Sequence, residues 1–187
     1  LSMSAFIRSI TILLCFVHAS PLIAKEPWFL RELFNTHAQK PNATQYIHDA
    51  ELFDCGVEVL TLCSDEITYY RTRVFLEVRV EENKVSRVVM TADNSNLTYS
   101  ELQLSLRKDG FQLASIDIDG NEFNVEKRLV GATPEERVQI DKELVTFMNR
   151  QLNRTKIKSV WNVNGQSYPV VHLESNGEEI QVRLVRD

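Results

Sequence analysis

The stretch "SVWNVNGQSYPVVHLESNGEEIQVRLV", Ser159–Val185, carries two Asn-Gly pairs twelve residues apart, each between alternating apolar positions. Asn and Gly are the residues that most readily take the left-handed conformation a tight hairpin turn requires. Alternation of apolar and polar residues is the period of a half-buried strand. The stretch therefore predicts a three-stranded antiparallel meander turning at Asn164-Gly165 and Asn176-Gly177.

Upstream of it, Thr133, Pro134 and Glu136 form a capping box that opens the helix "PEERVQIDKELVTFMNRQLN". Val138, Asp141, Leu144, Val145, Met148 and Leu152 line one side of it, with Ile140 and Phe147 widening that side. Its acidic start and its finish at Arg150 and Arg154 suit the helix dipole. Further back, "FQLASIDIDGNEFNVEKRLV" reads as a hairpin turning at Asp119-Gly120. Thr98 and Glu101 form another capping box, for a helix "YSELQLSLRK" ending at Gly110.

The region before that helix reads as strands. "VEVLTL" is one, "SDE" turns, and "ITYYRTRVFLEVRV" alternates with Val74, Leu76, Val78 and Val80 on one face. "EENK" turns the chain into "VSRVVMTA". A short helix, "EPWFLRELFNTHAQ", precedes all of this, with Trp28, Leu30, Leu33, Phe34 and His37 at helical spacing and "KPNATQ" behind it. The sum is an α+β domain: a bent or partly closed antiparallel sheet of about 7–8 strands with two main helices and a short N-terminal helix packed on it.

Residues 1–24 have the layout of a secretory signal: Arg8, an unbroken apolar run from Ile10 to Val17, then Pro21 before Ala24. The run is well short of the roughly 18–20 apolar residues of a membrane span. Cleavage after Ala24 is the expectation, with Ala19 and an uncleaved anchor as alternatives. Cys15 follows Leu14, not the small residue a lipid-modified cysteine needs. Removing residues 1–24 leaves 163 residues at net charge −6, forming one domain over residues 25–187. A chain of that size buries roughly 70% of its unfolded surface. The acidic balance argues against nucleic acid as a partner. Together these features predict a periplasmic or secreted protein without a membrane span after cleavage.

Cys55 and Cys63 in "DCGVEVLTLC" are the remaining cysteines, and an exported chain with one pair suggests a disulfide. As a continuous strand the eight steps would span about 26 Å, whereas a disulfide needs Cα atoms within about 7 Å. The bond requires the chain to double back inside "GVEVLTL", where only Gly56 helps. The sequons at Asn42, Asn96 and Asn153 would matter only in a eukaryotic secretory pathway.

Catalytic signatures are absent: no Gly-rich phosphate loop, no Gly-x-Ser-x-Gly, no His-Glu-x-x-His, no Cys-x-x-Cys. "SIDIDGNEF" resembles a calcium loop, but its glycine follows the second Asp directly and the distal Glu is missing. His48 with Asp49, Glu51 and Asp54 lacks the spacing of a metal or acid–base site, and a solvated loop explains it. His172 reads as a strand residue and His37 as a helix-end residue. No cofactor and no metal is expected. Arg150, Arg154, Lys156 and Lys158 read as a helix-end feature.

The most suggestive stretch is "ITYYRTRVF". On a strand, Tyr69, Arg71, Arg73 and Phe75 share the face opposite the apolar series. Aromatics and arginines are enriched in protein interfaces, although cross-strand pairing with Glu77 or Glu81–Glu82 would also explain such a face. Three functions follow. The first is a non-enzymatic exported protein that binds another exported or envelope protein, as a complex subunit, inhibitor or immunity protein. The second is a carrier of a lipid or small apolar ligand between sheet and helices, with Trp28, Phe29 and Phe34 as a lid. The third is a small hydrolase using His48.

Overall fold

The computed structural model describes residues 26–37, 39–150, 156–164 and 166–186. The segment 1–24, expected to act as a signal, and Leu152, Asn153, Arg154 and Gly165 lie outside the described residues. The chain forms α1 (Trp28–Leu33), α2 (Thr44–Ile47), β1 (Leu52–Asp54), β2 (Thr61–Ser64), β3 (Ile67–Tyr69), β4 (Thr72–Glu81) and β5 (Lys84–Asp93). These are followed by α3 (Asn96–Lys108), β6 (Gln112–Ile118), β7 (Asn121–Asn124), α4 (Val125–Leu129), α5 (Pro134–Arg150), β8 (Ile157–Asn162), β9 (Val170–Ser175) and β10 (Glu179–Val185). Among the described residues no helix is long and apolar enough to cross a membrane.

The sheet is antiparallel and open, in the order β1-β2-β4-β5-β10-β9-β8-β6-β7, with β3 on β4. It has ten strands where the sequence suggests seven or eight, and it is not closed. The difference arises between residues 52 and 81. There β1 is an unforeseen short edge strand, and β2 and β3 are one strand on β4 interrupted by a bulge. Cys63 lies opposite Glu77 and Ile67 opposite Val74, so Ser64–Glu66 carry one residue more than the strand they face. The Ser64 hydroxyl patches the gap by accepting from the Leu76 amide at 3.1 Å.

One face of the sheet is the core side. Val74, Leu76, Val78 and Val80 enter it as the alternation requires, joined by Val88 and Met90 of β5, Ile180, Val182 and Leu184 of β10, and Trp161 of β8. Phe29, Leu30, Leu33 and Phe34 of the α1 segment and Tyr99, Leu102 and Leu106 of α3 cover them. Burying an aliphatic or aromatic side chain of this kind contributes about 1.5–3 kcal/mol.

The turns follow their sequence signals closely. Glu82 and Asn83 (φ +50° and +59°) close β4–β5, and Asp119 and Gly120 (φ +51° and +87°) close β6–β7, the two-residue geometry matched to the twist of a hairpin. Gly177 (φ +97°) closes β9–β10, and the Asn176 carboxamide accepts from the Glu178 and Glu179 amides at 2.9 Å. At the expected Asn164 turn φ is +47° and the Gln166 amide donates to the Val163 carbonyl at 2.9 Å. However, β8 ends at Asn162 and β9 begins only at Val170, so the connection is longer than a two-residue hairpin and holds a cis peptide at Tyr168-Pro169.

Several elements differ from their sequence reading. The Thr133/Glu136 capping box forms in both directions, but α3 starts a turn earlier than its box implies. Ser95 is its N-cap and accepts from the Thr98 amide at 2.9 Å. The second strand of the Asp119-Gly120 hairpin ends at Asn124, which caps α4. α1 stops at Leu33, leaving His37 beyond the helix. In α5 the packed face is Ile140, Leu144, Phe147 and Met148, while Val138 and Val145 are exposed. The helix docks through Phe147 on Phe123, ring centroids 5.5 Å apart, which rotates Val138 and Asp141 outward.

"VEVLTL" becomes a strand only from Thr61, because the chain reverses before it. β1 runs back along β2 with Phe53 opposite Cys63, and the Cys55 amide donates to the Thr61 carbonyl at 2.8 Å. Cys55 and Cys63 form a disulfide with Cα atoms 5.9 Å apart. Gly56 makes the reversal possible: a Cβ there would lie 2.1 Å from the Val59 carbonyl oxygen. A ring this short contributes about 2.6 kcal/mol in the chain-entropy description. Reduction should lower the denaturant midpoint accordingly, and an unchanged midpoint would show that the link adds nothing.

Candidate functional site

The stretch 67–75 is not one continuous strand. Tyr69 pairs with Thr72, so the chain turns at Tyr70-Arg71. This corrects the expected common face. Tyr69 turns into the core, only 1% exposed, whereas Arg71, Arg73 and Phe75 remain outside. The three line a cleft of about 380 Å³ together with Glu66 of the bulge, Asp93 at the end of β5, and Leu97 and Glu101 of α3.

Phe75 is 54% and Leu97 71% exposed, so the cleft offers two apolar surfaces flanked by cations. Arg73 Nη1 lies 3.1 Å from Glu66 and Arg71 Nη1 3.8 Å from Glu101. Each guanidinium thus holds a single carboxylate at one nitrogen and keeps its remaining donors toward solvent. Exposed pairs of this kind contribute about 0–1 kcal/mol, so the arginines are not committed to holding the fold. The floor is Thr72, a buried residue whose hydroxyl has no hydrogen-bond partner among the described residues.

Behind the cleft lies a polar cluster that sequence reading does not single out. Both the Tyr69 and Tyr70 hydroxyls donate to the Asp109 carboxylate at the end of α3. Tyr70 has φ +53°, an uncommon conformation for a bulky residue. It is held there by Asp109, by Lys108 Nζ 5.0 Å from its ring centre, and by its amide donating to Glu26 at 3.4 Å. The cluster fixes the β3–β4 turn and thereby the placement of Arg71. Forty residues separate Tyr69 from Asp109 in sequence, and no local motif marks the pair.

Burial raises the pKa of Asp109 above the usual carboxylate range despite the two hydroxyls, which pull it down. Burial first, then Asp109, raises Tyr69. Burial and the same carboxylate raise Tyr70, and burial raises Tyr46. The folded state therefore keeps phenolic protons that the unfolded state releases near pH 10. Stability from this source is complete below that pH and is lost as pH rises above it. Tyr46, Tyr69 and Tyr70 should resist ionisation in an absorbance titration until unfolding. Ionisation of all three near pH 10, with no fall in melting temperature, would contradict the cluster.

The other candidate residues are dispersed. Asp49 accepts from the Trp28 indole at 2.8 Å and from the Glu51 amide, and Asp54 accepts from the Gly56 amide. His48 is exposed, and its side chain makes no hydrogen bond among the described residues. No group of three His, Cys, Asp or Glu side chains among the described residues is placed to hold a metal ion. His172 is half-buried on β9 opposite Arg183, and burial lowers its pKa. Of the four basic residues, Lys158 lies on β8 between Asp117 and Glu174 and Lys156 is exposed just before it, while Arg154 and the side chain of Arg150 lie outside the described residues. No family model, no curated protein and no solved structure matches the chain.

Proposed function

We propose that this is an exported, non-enzymatic protein that works by binding another protein, as an envelope-complex subunit, an inhibitor or an immunity protein, through the cleft of Arg71, Arg73, Phe75 and Leu97. The observation that carries this reading is the exposure of two large apolar side chains beside two arginines that make few contacts of their own. Interface anchors have this composition. The Cys55–Cys63 disulfide is compatible with an extracellular setting.

The carrier alternative has less support. Of the lid residues offered by the sequence, Phe29 and Phe34 are fully buried and, with Leu30 and Leu33, fill the layer between sheet and helices, while Trp28 is exposed and donates its indole N–H to Asp49. For the hydrolase alternative, no second polar group hydrogen-bonds the His48 side chain among the described residues.

The test is to purify the full chain from the cells that make it and identify the proteins and lipids that accompany it by mass spectrometry. Arg71→Ala with Phe75→Ala should weaken retention of that partner by at least about tenfold, or about 1.4 kcal/mol, while leaving the melting temperature nearly unchanged. A folded double mutant that retains the partner at full strength would remove the cleft from the reading. Recovery of a stoichiometric lipid and no protein would replace binding by transport.

A further inference from the structure

The cleft is not the only place where apolar side chains stand in water. Val57, at the tip of the disulfide-closed loop between β1 and β2, is fully exposed, and Phe53 of β1 is 50% exposed. Phe53 lies opposite Cys63, which lies opposite Glu77. Phe53 and Phe75 therefore occupy the same outer face of the sheet, two strands apart. The loop is preorganised, being closed by the disulfide and by a reversal so tight that Gly56 tolerates no side chain. A surface already held in its bound shape loses little conformational entropy on docking.

Charge states the kind of surface it fits. Between Pro41 and Tyr70 the chain has six of its 26 acidic residues and none of its 21 basic ones. This stretch carries −6 against −5 for the whole chain. Glu51, Asp54, Glu58 and Asp65 are exposed around the loop, and of the six only Glu66 has an ion pair among the described residues. The arginines of β4 pair with Glu66 and Glu81, and no ion pair among the described residues reaches Glu51, Asp54, Glu58 or Asp65. An apolar tip inside an uncompensated acidic rim is complementary to an apolar surface with a basic rim.

We propose that the β1–β2 hairpin, led by Val57 and Phe53, docks against a cationic, apolar-centred surface of the partner protein. This rests on the protein-binding reading and names the partner's chemistry. The acidic rim speeds encounter with such a surface and makes binding salt-sensitive, while the apolar tip sets how long the complex lasts.

The test uses the oxidised full chain, immobilised, and a randomised peptide library at low and at physiological salt. Enriched peptides should combine Lys or Arg with Leu, Phe or Trp. Their retention should fall by about tenfold both in Val57→Ser and in Glu51→Gln/Glu58→Gln, with the latter variant also losing the salt dependence. Every position changed is an exposed residue of the loop or the sheet edge, and melting curves confirm that each variant folds. Enrichment of acidic peptides, of peptides indifferent to the hairpin changes, or of none would overturn the inference. Peptides lost only in Arg71→Ala/Phe75→Ala would do so while leaving the cleft reading intact. Failure of the cleft reading shows separately, as undiminished partner retention by that double mutant.

Discussion

Arg186→Ala should destabilise the protein by about 3–5 kcal/mol, since hydrogen bonds to a charged group contribute about 1.5–3 kcal/mol each and each buried acceptor left unpaired costs about 1–3 kcal/mol. The residue is 6% exposed. Its Nε donates to the His37 carbonyl at 3.0 Å, and its Nη2 donates to the carbonyls of Leu33 and Asn35. These carbonyls belong to the end of α1 and the chain just beyond it, where a helix leaves its acceptors without internal partners. Burial lowers the Arg186 pKa to about 10, with Tyr46 opposing the shift, so the side chain stays charged at neutral pH. Truncation strands three carbonyls in a region roofed by Phe34 and Leu33 and frees α1 from β10. At about 2–4 °C per kcal/mol the melting temperature should fall by about 6–20 °C. Arg186→Lys should fall between the two, since an ammonium lacks the fork that serves several carbonyls at once. An alanine variant within about 1 kcal/mol of the parent in denaturant titration would refute this account.

Asp109→Ala is expected to cost about 2–4 kcal/mol, because it leaves the Tyr69 hydroxyl buried without an acceptor and deprives Tyr70 of the contact that holds its positive φ. Asp109→Asn should cost much less. The carboxylate is half-buried at the end of α3, where the helix dipole also disfavours negative charge, and burial raises its pKa. A carboxyl whose folded pKa lies above its unfolded value favours the folded state fully only below the unfolded value. That advantage is lost as pH rises through the folded one. Asp109→Asn should therefore flatten the stability profile on the acid side of neutrality, while Asp109→Ala lowers the whole curve. Equal melting temperatures for the two variants would show that the hydroxyls need no acceptor.

The hairpins and their helices are legible from local chemistry. Asp119-Gly120, the capping box of Thr133 and Glu136, and the alternation from Val74 to Val80 each act within a few residues, and each stands where the sequence puts it. What is not legible depends on contacts between distant residues. Nothing near Tyr70 says that an aromatic will turn a corner with positive φ, since Asp109 and Glu26 hold it there from far away in sequence. For that reason Tyr69 moves from the expected binding face to the core. The face of α5 is misread for a similar cause, because both Val138 and Phe147 fit helical spacing and only the position of Phe123 chooses between them. Of the candidate site, Arg71, Arg73 and Phe75 survive as exposed neighbours, while Leu97 enters from α3 by tertiary placement alone.

The place of β10 in the sheet has a consequence for biosynthesis. This strand joins β5 to β9, so residues 179–185 connect the half built from β1–β5 to the half built from β6–β9. A nascent chain that has not yet delivered those residues holds two half-sheets, each with a long unpaired edge. Non-local pairing of this kind is slow to form and, until it forms, leaves sticky strands open. The two half-sheets become one only when residues 179–185 take their place between β5 and β9. Until then β5 and β9 are the open edges at which the chain is most exposed to pairing with another copy.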